Sequence, residues 1–172
     1  VFDFSIGNPS VPAPELVNET AIKLLQEMDP VVLHGYTSAQ GDAIVRKQIA
    51  DNLNTRFATS FRPENLYMTV GAAASLCCCL NGLCNPGDEV IVFAPFFPEY
   101  RVFIEGAGAK MTMIPADTEA FQINFAAFEA AINEKTKAVI VNSPNNPSGT
   151  LYSEDTVKKL ASILEDASQK YG

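Results

Sequence analysis

Apolar positions along the chain switch repeatedly between a spacing of three to four residues and a spacing of two or less, so helices and strands are expected to alternate. Glu15 to Met28 reads as a helix after the proline-rich stretch Asn8-Pro9-Ser10-Val11-Pro12-Ala13-Pro14. Gly41 to Phe57 reads as a second, with Val45, Ile49, Leu53 and Phe57 spaced by four along one face. Leu66 to Val70 is expected as a short strand that ends at Gly71. Ala72 to Cys84 is apolar on nearly every side, the pattern of a helix buried within its domain. Asn85-Pro86-Gly87-Asp88 has turn composition, and Glu89 to Phe93 follows as a strand. A helix near Pro98 to Gly106 and a strand near Lys110 to Ile114 come next. Asn124 is placed to cap a helix through Phe128, Ala131 and Ile132. Ala138 to Val141 is a continuous apolar run, as in strands buried on both faces. Ser153 caps the last helix, with Glu154 and Asp155 in its first turn and Val157, Leu160, Ala161 and Leu164 as its inner face.

Strands alternating with helices predict an α/β architecture: a mostly parallel sheet flanked by helices and closed by right-handed crossovers. A length of 172 residues suits one substantial core better than two independent domains. With 47% apolar and 19% charged residues the composition is that of an ordinary globular chain. A net charge of −8 argues against nucleic acid as a partner, because such binders carry a basic patch. No apolar run approaches the roughly 18 residues of a membrane span, so no membrane partner is expected, and no signal peptide opens the chain. Val1 already lies in a strand-like stretch, from which the natural start is expected to precede it.

Cys77, Cys78 and Cys79 are consecutive and Cys84 follows; adjacent cysteines do not splay into a tetrahedral metal site as C-x-x-C pairs do. They read as small buried apolar residues in a reducing cytoplasm, the expected compartment. His34, the one histidine, sits beside Gly35-Tyr36 and reads as loop surface.

Three segments carry candidate chemistry. In Met68-Thr69-Val70-Gly71-Ala72-Ala73-Ala74-Ser75-Leu76 a strand runs through a glycine straight into a helix, exposing backbone N–H groups at a positive dipole end. That is an anion site without a basic residue, and Gly71 allows a phosphate close to the backbone; a plain tight turn is the simpler alternative. No Walker lysine motif is present, and Gly106-Ala107-Gly108 lacks the third glycine of a dinucleotide fingerprint because Met111 stands there. Ala94-Pro95-Phe96-Phe97-Pro98-Glu99-Tyr100 puts aromatic rings after a strand, either to stack on a flat heteroaromatic ligand or to plug the sheet. Val141-Asn142-Ser143-Pro144-Asn145-Asn146-Pro147-Ser148-Gly149-Thr150 has loop composition after another strand, where Asn146 can donate to an anionic oxygen.

Ser143-Pro144-Asn145-Asn146-Pro147-Ser148-Gly149 resembles the S-P-x-N-P-T-G loop of class I/II aminotransferases of the aspartate aminotransferase fold, with Ser148 for the usual threonine. Pro86-Gly87-Asp88-Glu89-Val90 resembles that family's P-G-D-x-V turn. Tyr36, Gly41 and Arg46 match its Y-x-x-x-x-G-x-x-x-x-R spacing, and Phe4-Ser5-Ile6-Gly7-Asn8-Pro9 resembles its amino-terminal glycine strand. The likeness spans essentially the whole chain.

The resemblance implies pyridoxal 5'-phosphate as cofactor, an α-amino acid and a 2-oxo acid as substrates, and a homodimer. It implies that Gly71, Ala72 and Ala73 hold the cofactor phosphate through backbone N–H groups, where many relatives also have side-chain donors. Phe97 would stack on the pyridine ring, Asn146 would hydrogen-bond its 3′-oxygen, and Gly7 would sit with Asn146 beside the substrate carboxylate. Tyr36 would reach the phosphate in the partner subunit's site. The family's Schiff-base lysine, its pyridine-binding aspartate and its late arginine lie beyond the N-P-x-G loop. The 23 residues after Gly149 read as one amphipathic helix whose Lys158, Lys159 and Lys170 are solvated and outside the family's S-x-[SA]-K context. Residues 1–172 are therefore expected to be the N-terminal arm and the first part of the cofactor-binding large domain. On this reading the remainder of that domain, the C-terminal small domain and the catalytic lysine lie outside the chain. A carbon–sulfur β-lyase of the same fold, or a non-catalytic domain binding a phosphate ligand or a partner protein, are the alternatives.

Overall fold

The computed structural model describes residues 11–117 and 119–172, in two compact units, Val1–Met68 and Thr69–Gly172. The glycine strand with Gly7 lies outside the described residues.

The first unit is helical. Helix α1 spans Glu15–Glu27 and buries none of its side chains. Helix α2, Pro30–His34, was not expected from the periodicity, since five residues are too few to show one. Its signals are local: Asp29 accepts from the N–H groups of Val31 and Val32, and Pro30 occupies the first turn. His34 ends this helix, exposed to solvent. Helix α3, Ala43–Phe57, is capped by Asp42, which accepts from Ile44 and Val45 at 2.9 Å. Its inward face is rotated from the expected one. Arg46 and Ala50 are buried and Ile49 and Leu53 half-buried, whereas Val45 and Phe57 are exposed. Arg46 causes the rotation by turning inward to the backbone of a one-turn 3-10 helix at Pro63–Asn65.

The second unit holds helix α4 (Gly71–Leu83), strand β1 (Glu89–Phe93), helix α5 (Tyr100–Gly106) and strand β2 (Lys110–Ile114). Helix α6 (Phe125–Ala131), strand β3 (Thr136–Ile140) and helix α7 (Glu154–Tyr171) complete it. The sheet is parallel with order β2-β1-β3, so the expected α/β class holds. Alternate residues of β1 face opposite ways. Val90 and Val92 pack with Leu80, Tyr100, Ile104, Ala109 and Met111, beneath α4 and α5. Ile91 and Phe93 pack with Ile114, Ile123, Phe128 and Leu160, beneath α6 and α7. Helices therefore cover both faces, and β1 is the buried centre.

Several finer expectations are corrected. Leu66 to Val70 is extended but forms no strand; its backbone makes turn and loop hydrogen bonds, among them the Met68 N–H donating to the Gln40 carbonyl at 3.0 Å, and no ladder among the described residues. Helix α4 is not enclosed: only Leu80 is buried, Cys77 and Cys84 are half-buried, and Cys78, Cys79 and Leu83 are exposed. An apolar composition fixes neither depth nor cover. Strand β3 is half-buried rather than buried on both faces, because among the described residues it pairs with β1 alone. On α7, Leu160 is buried with Ile163 and Leu164 packed beside it, while Val157 and Ala161 face solvent. The turn at residues 85–88 holds as read, with the Asp88 carboxylate accepting from the Asn85 N–H at 2.7 Å. The Asn124 and Ser153 caps are both present.

Candidate functional site

The two loops that leave the carboxyl ends of β1 and β3 are neighbours because those strands are parallel and adjacent. The first carries Phe96 and Phe97, both half-buried; Phe97 meets Tyr100 edge to face at 5.7 Å between ring centroids. The second folds back on itself. The Asn145 N–H donates to the Thr150 carbonyl at 2.9 Å, and the Gly149 N–H donates to the Asn145 carbonyl at 2.7 Å. Gly149 takes a positive φ of 71°, the left-handed backbone that glycine adopts without strain.

Asn145 and Asn146 have opposite environments. Asn145 is buried, and its Nδ2 donates to the Pro95 carbonyl at 2.9 Å, joining this loop to the one carrying Phe97. Asn146 is exposed, and among the described residues its amide has no hydrogen-bond partner. Behind the loops a cavity of about 10 Å³ is lined by Phe93, Phe96, Tyr100, Ile140, Asn142, Asn145 and Tyr152. Burial pushes the phenols of Tyr100 and Tyr152 up, with the amides of Asn142 and Asn145 respectively pulling each back. Both remain neutral at ordinary pH.

Helix α4 begins at Gly71, whose φ of 80° requires glycine-like backbone freedom and around which a Cβ would meet nothing within 4 Å. Its first turn has no side-chain cap. The Gly71 N–H turns back to the Thr69 carbonyl at 3.0 Å, leaving the amides of Ala72 and Ala73 without an intrahelical acceptor. The Thr69 hydroxyl meets that of Ser75, a tie across the start of the helix that composition alone did not indicate. This is an open, uncapped, positive helix end, and a phosphate fits it by charge and by donor direction.

Tyr36 lies in the first unit, fully exposed. The lysines of α7 are surface groups as expected. Lys158 pairs with Glu154 at 2.6 Å, and Lys159 and Lys170 lie over the rings of Phe125 and Tyr171. The thiol of Cys84 is raised by burial and then by Asp88, so it is not an activated nucleophile. Among the described residues no cluster of His, Cys, Asp and Glu suits a metal, and no helix is long and apolar enough to cross a membrane. A hollow of about 350 Å³ is formed by Ile132, Thr136, Ala138 and Tyr171 at the start of β3, and none of the expected site residues lines it.

Sequence reasoning assigned no role to Asn145 or Tyr152, while Tyr100 stood in the aromatic segment that it singled out. The doublet Asn145-Asn146 was visible, but which asparagine turns inward depends on the loop's own hydrogen bonds.

The pattern of the Aminotransferase class I and II family matches residues 1–168, and the chain belongs to that family, whose members use pyridoxal phosphate. It is similar to a crystal structure of an amino transferase from Eubacterium rectale, with 57% identity and a TM-score of 0.97 over 100% of this chain and 44% of that one. An aspartate aminotransferase from Thermotoga maritima superposes with a TM-score of 0.88 at 32% identity, over 97% of this chain and 44% of its own. The aspartate aminotransferase of Sulfurisphaera tokodaii is 32% identical over 96% of this chain and 41% of its own length. The chain thus spans about two-fifths of the length of such curated relatives.

Proposed function

We propose that residues 1–172 form the N-terminal arm and the first part of the cofactor-binding large domain of an aminotransferase. It would move an amino group between an α-amino acid and a 2-oxo acid. The observation that carries this is the uncapped start of α4, with Gly71 at positive φ and, among the described residues, no acceptor on the Ala72 and Ala73 amides. It stands in the same unit as the paired loops bearing Phe97 and Asn146. The names of the relatives favour transamination over β-elimination.

Ala72 and Ala73 would bind the phosphate by backbone donors and the helix dipole, and Gly71, whose own N–H is turned to Thr69, would let it approach the backbone closely. Phe97 would lie against the pyridine ring and orient it. The unpartnered Asn146 amide would donate to the ring 3′-oxygen and stabilise its anionic form. When bound, pyridoxal phosphate supplies the electron sink, and the protein supplies position and electrostatics. Gly7 would lie beside the substrate carboxylate, and Tyr36 would reach the phosphate of a partner subunit in a homodimer working in the cytoplasm. The lysine that closes the cycle would lie beyond Gly172. Reduction of a mixture of this chain and the cofactor with borohydride is therefore expected to give no saturable single-lysine adduct.

Equilibrium dialysis of pyridoxal phosphate against wild type, Asn146→Ala and Phe97→Leu tests the binding assignment. Each substitution is expected to weaken binding several-fold, about 1–2 kcal/mol. Unchanged affinity in both variants would refute it.

A further inference from the structure

We propose that Asn145, which the family likeness does not place on the cofactor, is a positioning residue that sets the spacing between Phe97 and Asn146. The inference rests on the cofactor reading above. Asn145 is 8% exposed, and its backbone and side chain are tied in three directions. Its N–H reaches Thr150, its carbonyl accepts from Gly149, and its Nδ2 donates to Pro95, 50 positions earlier in the chain. Its amide also faces the phenol of Tyr152 across the small cavity.

Each tie acts on a neighbour of an expected ligand contact. Asn146 is the next residue, and Pro95 is two before Phe97. Beyond β1 and β3 the two loops leave the ladder, so strand pairing no longer fixes their separation. The Asn145 amide supplies a part-buried hydrogen bond that replaces it, beside the contact of Tyr100 with the Asn142 amide. A buried, satisfied amide bridge is stiff, because breaking it strands a donor or a carbonyl away from water. Asn145 does not meet the cofactor itself: the cavity it lines, about 10 Å³, has room for roughly one water and not for a pyridine ring. Its effect must pass through the ring of Phe97 and the amide of Asn146, and contacts of that kind tolerate only about half an ångström of error.

The experiment is a mutant cycle read by equilibrium dialysis of pyridoxal phosphate and by thermal unfolding, in the full chain. Asn145→Ser is expected to raise the dissociation constant about tenfold. In a Phe97→Leu/Asn146→Ala background, already weakened, the same change should raise it less than twofold, because there is little left to position. The loss of thermal stability should be equal in both backgrounds. Should Asn145→Ser not fold, Asn145→Gln, which keeps the amide one methylene out of place, is expected to show the same pattern. Tenfold weakening in both backgrounds, or a stability loss with unchanged affinity, would overturn the proposal while leaving the cofactor reading intact. Wild-type affinity in Phe97→Leu/Asn146→Ala would overturn the cofactor reading and this inference with it.

Discussion

Arg46 is buried with its guanidinium on backbone oxygens: Nη1 donates to the Pro63 carbonyl at 2.7 Å and Nε to the Gly41 carbonyl at 3.2 Å. It ties helix α3 to the 3-10 turn and to the loop that follows Tyr36. Arg46→Ala should therefore destabilise the protein by about 1–2 kcal/mol, since two half-buried carbonyls each lose one donor, the Gly41 carbonyl keeping the Ser38 hydroxyl and the Pro63 carbonyl the Leu66 N–H. Arg46→Lys should recover part of that, as an ammonium reaches one carbonyl but not both. Urea unfolding monitored by circular dichroism measures both.

Gly41 and Gly71 both have positive φ, but their surroundings differ. A Cβ on Gly41 would come within 2.6 Å of the Met68 Cβ, whereas one on Gly71 would meet nothing within 4 Å. Gly41→Ala should thus cost about 3 kcal/mol or more, backbone strain and overlap together, and Gly71→Ala about 1–2 kcal/mol from strain alone. Equal losses in denaturant midpoints at unchanged slope would contradict this.

Glu89 opens β1 and holds three donors: Lys110 Nζ at 3.0 Å, Thr112 Oγ1 at 3.0 Å and Asn133 Nδ2 at 3.2 Å. The hydrogen bond from Lys110 leads in holding its carboxyl below the ordinary glutamate value, against the opposing effect of burial. A lowered folded-state pKa means that the stabilisation is complete above the unfolded-state value, about 4.3, and fades as pH falls through the folded-state value. Glu89→Gln should cost about 1–2 kcal/mol at pH 7 and almost nothing once the wild-type carboxyl is protonated. Parallel pH–stability curves for the two proteins would rule this out.

Phe128 is fully buried and meets Phe93 edge to face at 5.2 Å, whereas Val157 is exposed. Phe128→Ala should cost about 3–5 kcal/mol and Val157→Ala less than about 0.5 kcal/mol. Thermal unfolding of the two variants separates this packing from the face of α7 that periodicity alone suggested.

The strands β1 and β2, and the caps at Asn124 and Ser153, were legible because each rests on local chemistry: alternation, a turn, or a hydroxyl or amide before a helix. The depth of each element was not, because burial depends on which elements lie across it. Val157 and Leu160 read alike in sequence, yet only Leu160 meets the Phe128 cluster. Cys78 and Cys79 look like core residues and face solvent. The segments carrying Gly71, Phe97 and Asn146 stood out as glycine, aromatic and asparagine runs after apolar stretches. The strand expected before Gly71 did not form, although the uncapped helix start did. Asn145 could not be told from Asn146 in the sequence, since the difference lies in the loop's own hydrogen bonds and the one to Pro95.

The central claim is that the start of α4 grips a phosphate. The direct measurement is the affinity of the full chain for pyridoxal phosphate against pyridoxal, which lacks the phosphate, by equilibrium dialysis at one ionic strength. Charge-assisted bonds from the Ala72 and Ala73 amides should make pyridoxal phosphate bind at least about tenfold more tightly. That gap should shrink in Gly71→Val, where a branched side chain meets the positive φ, and persist in Asn146→Ala, which touches the ring oxygen instead. Equal affinity for the two compounds, or a gap that Gly71→Val leaves untouched, would contradict the account.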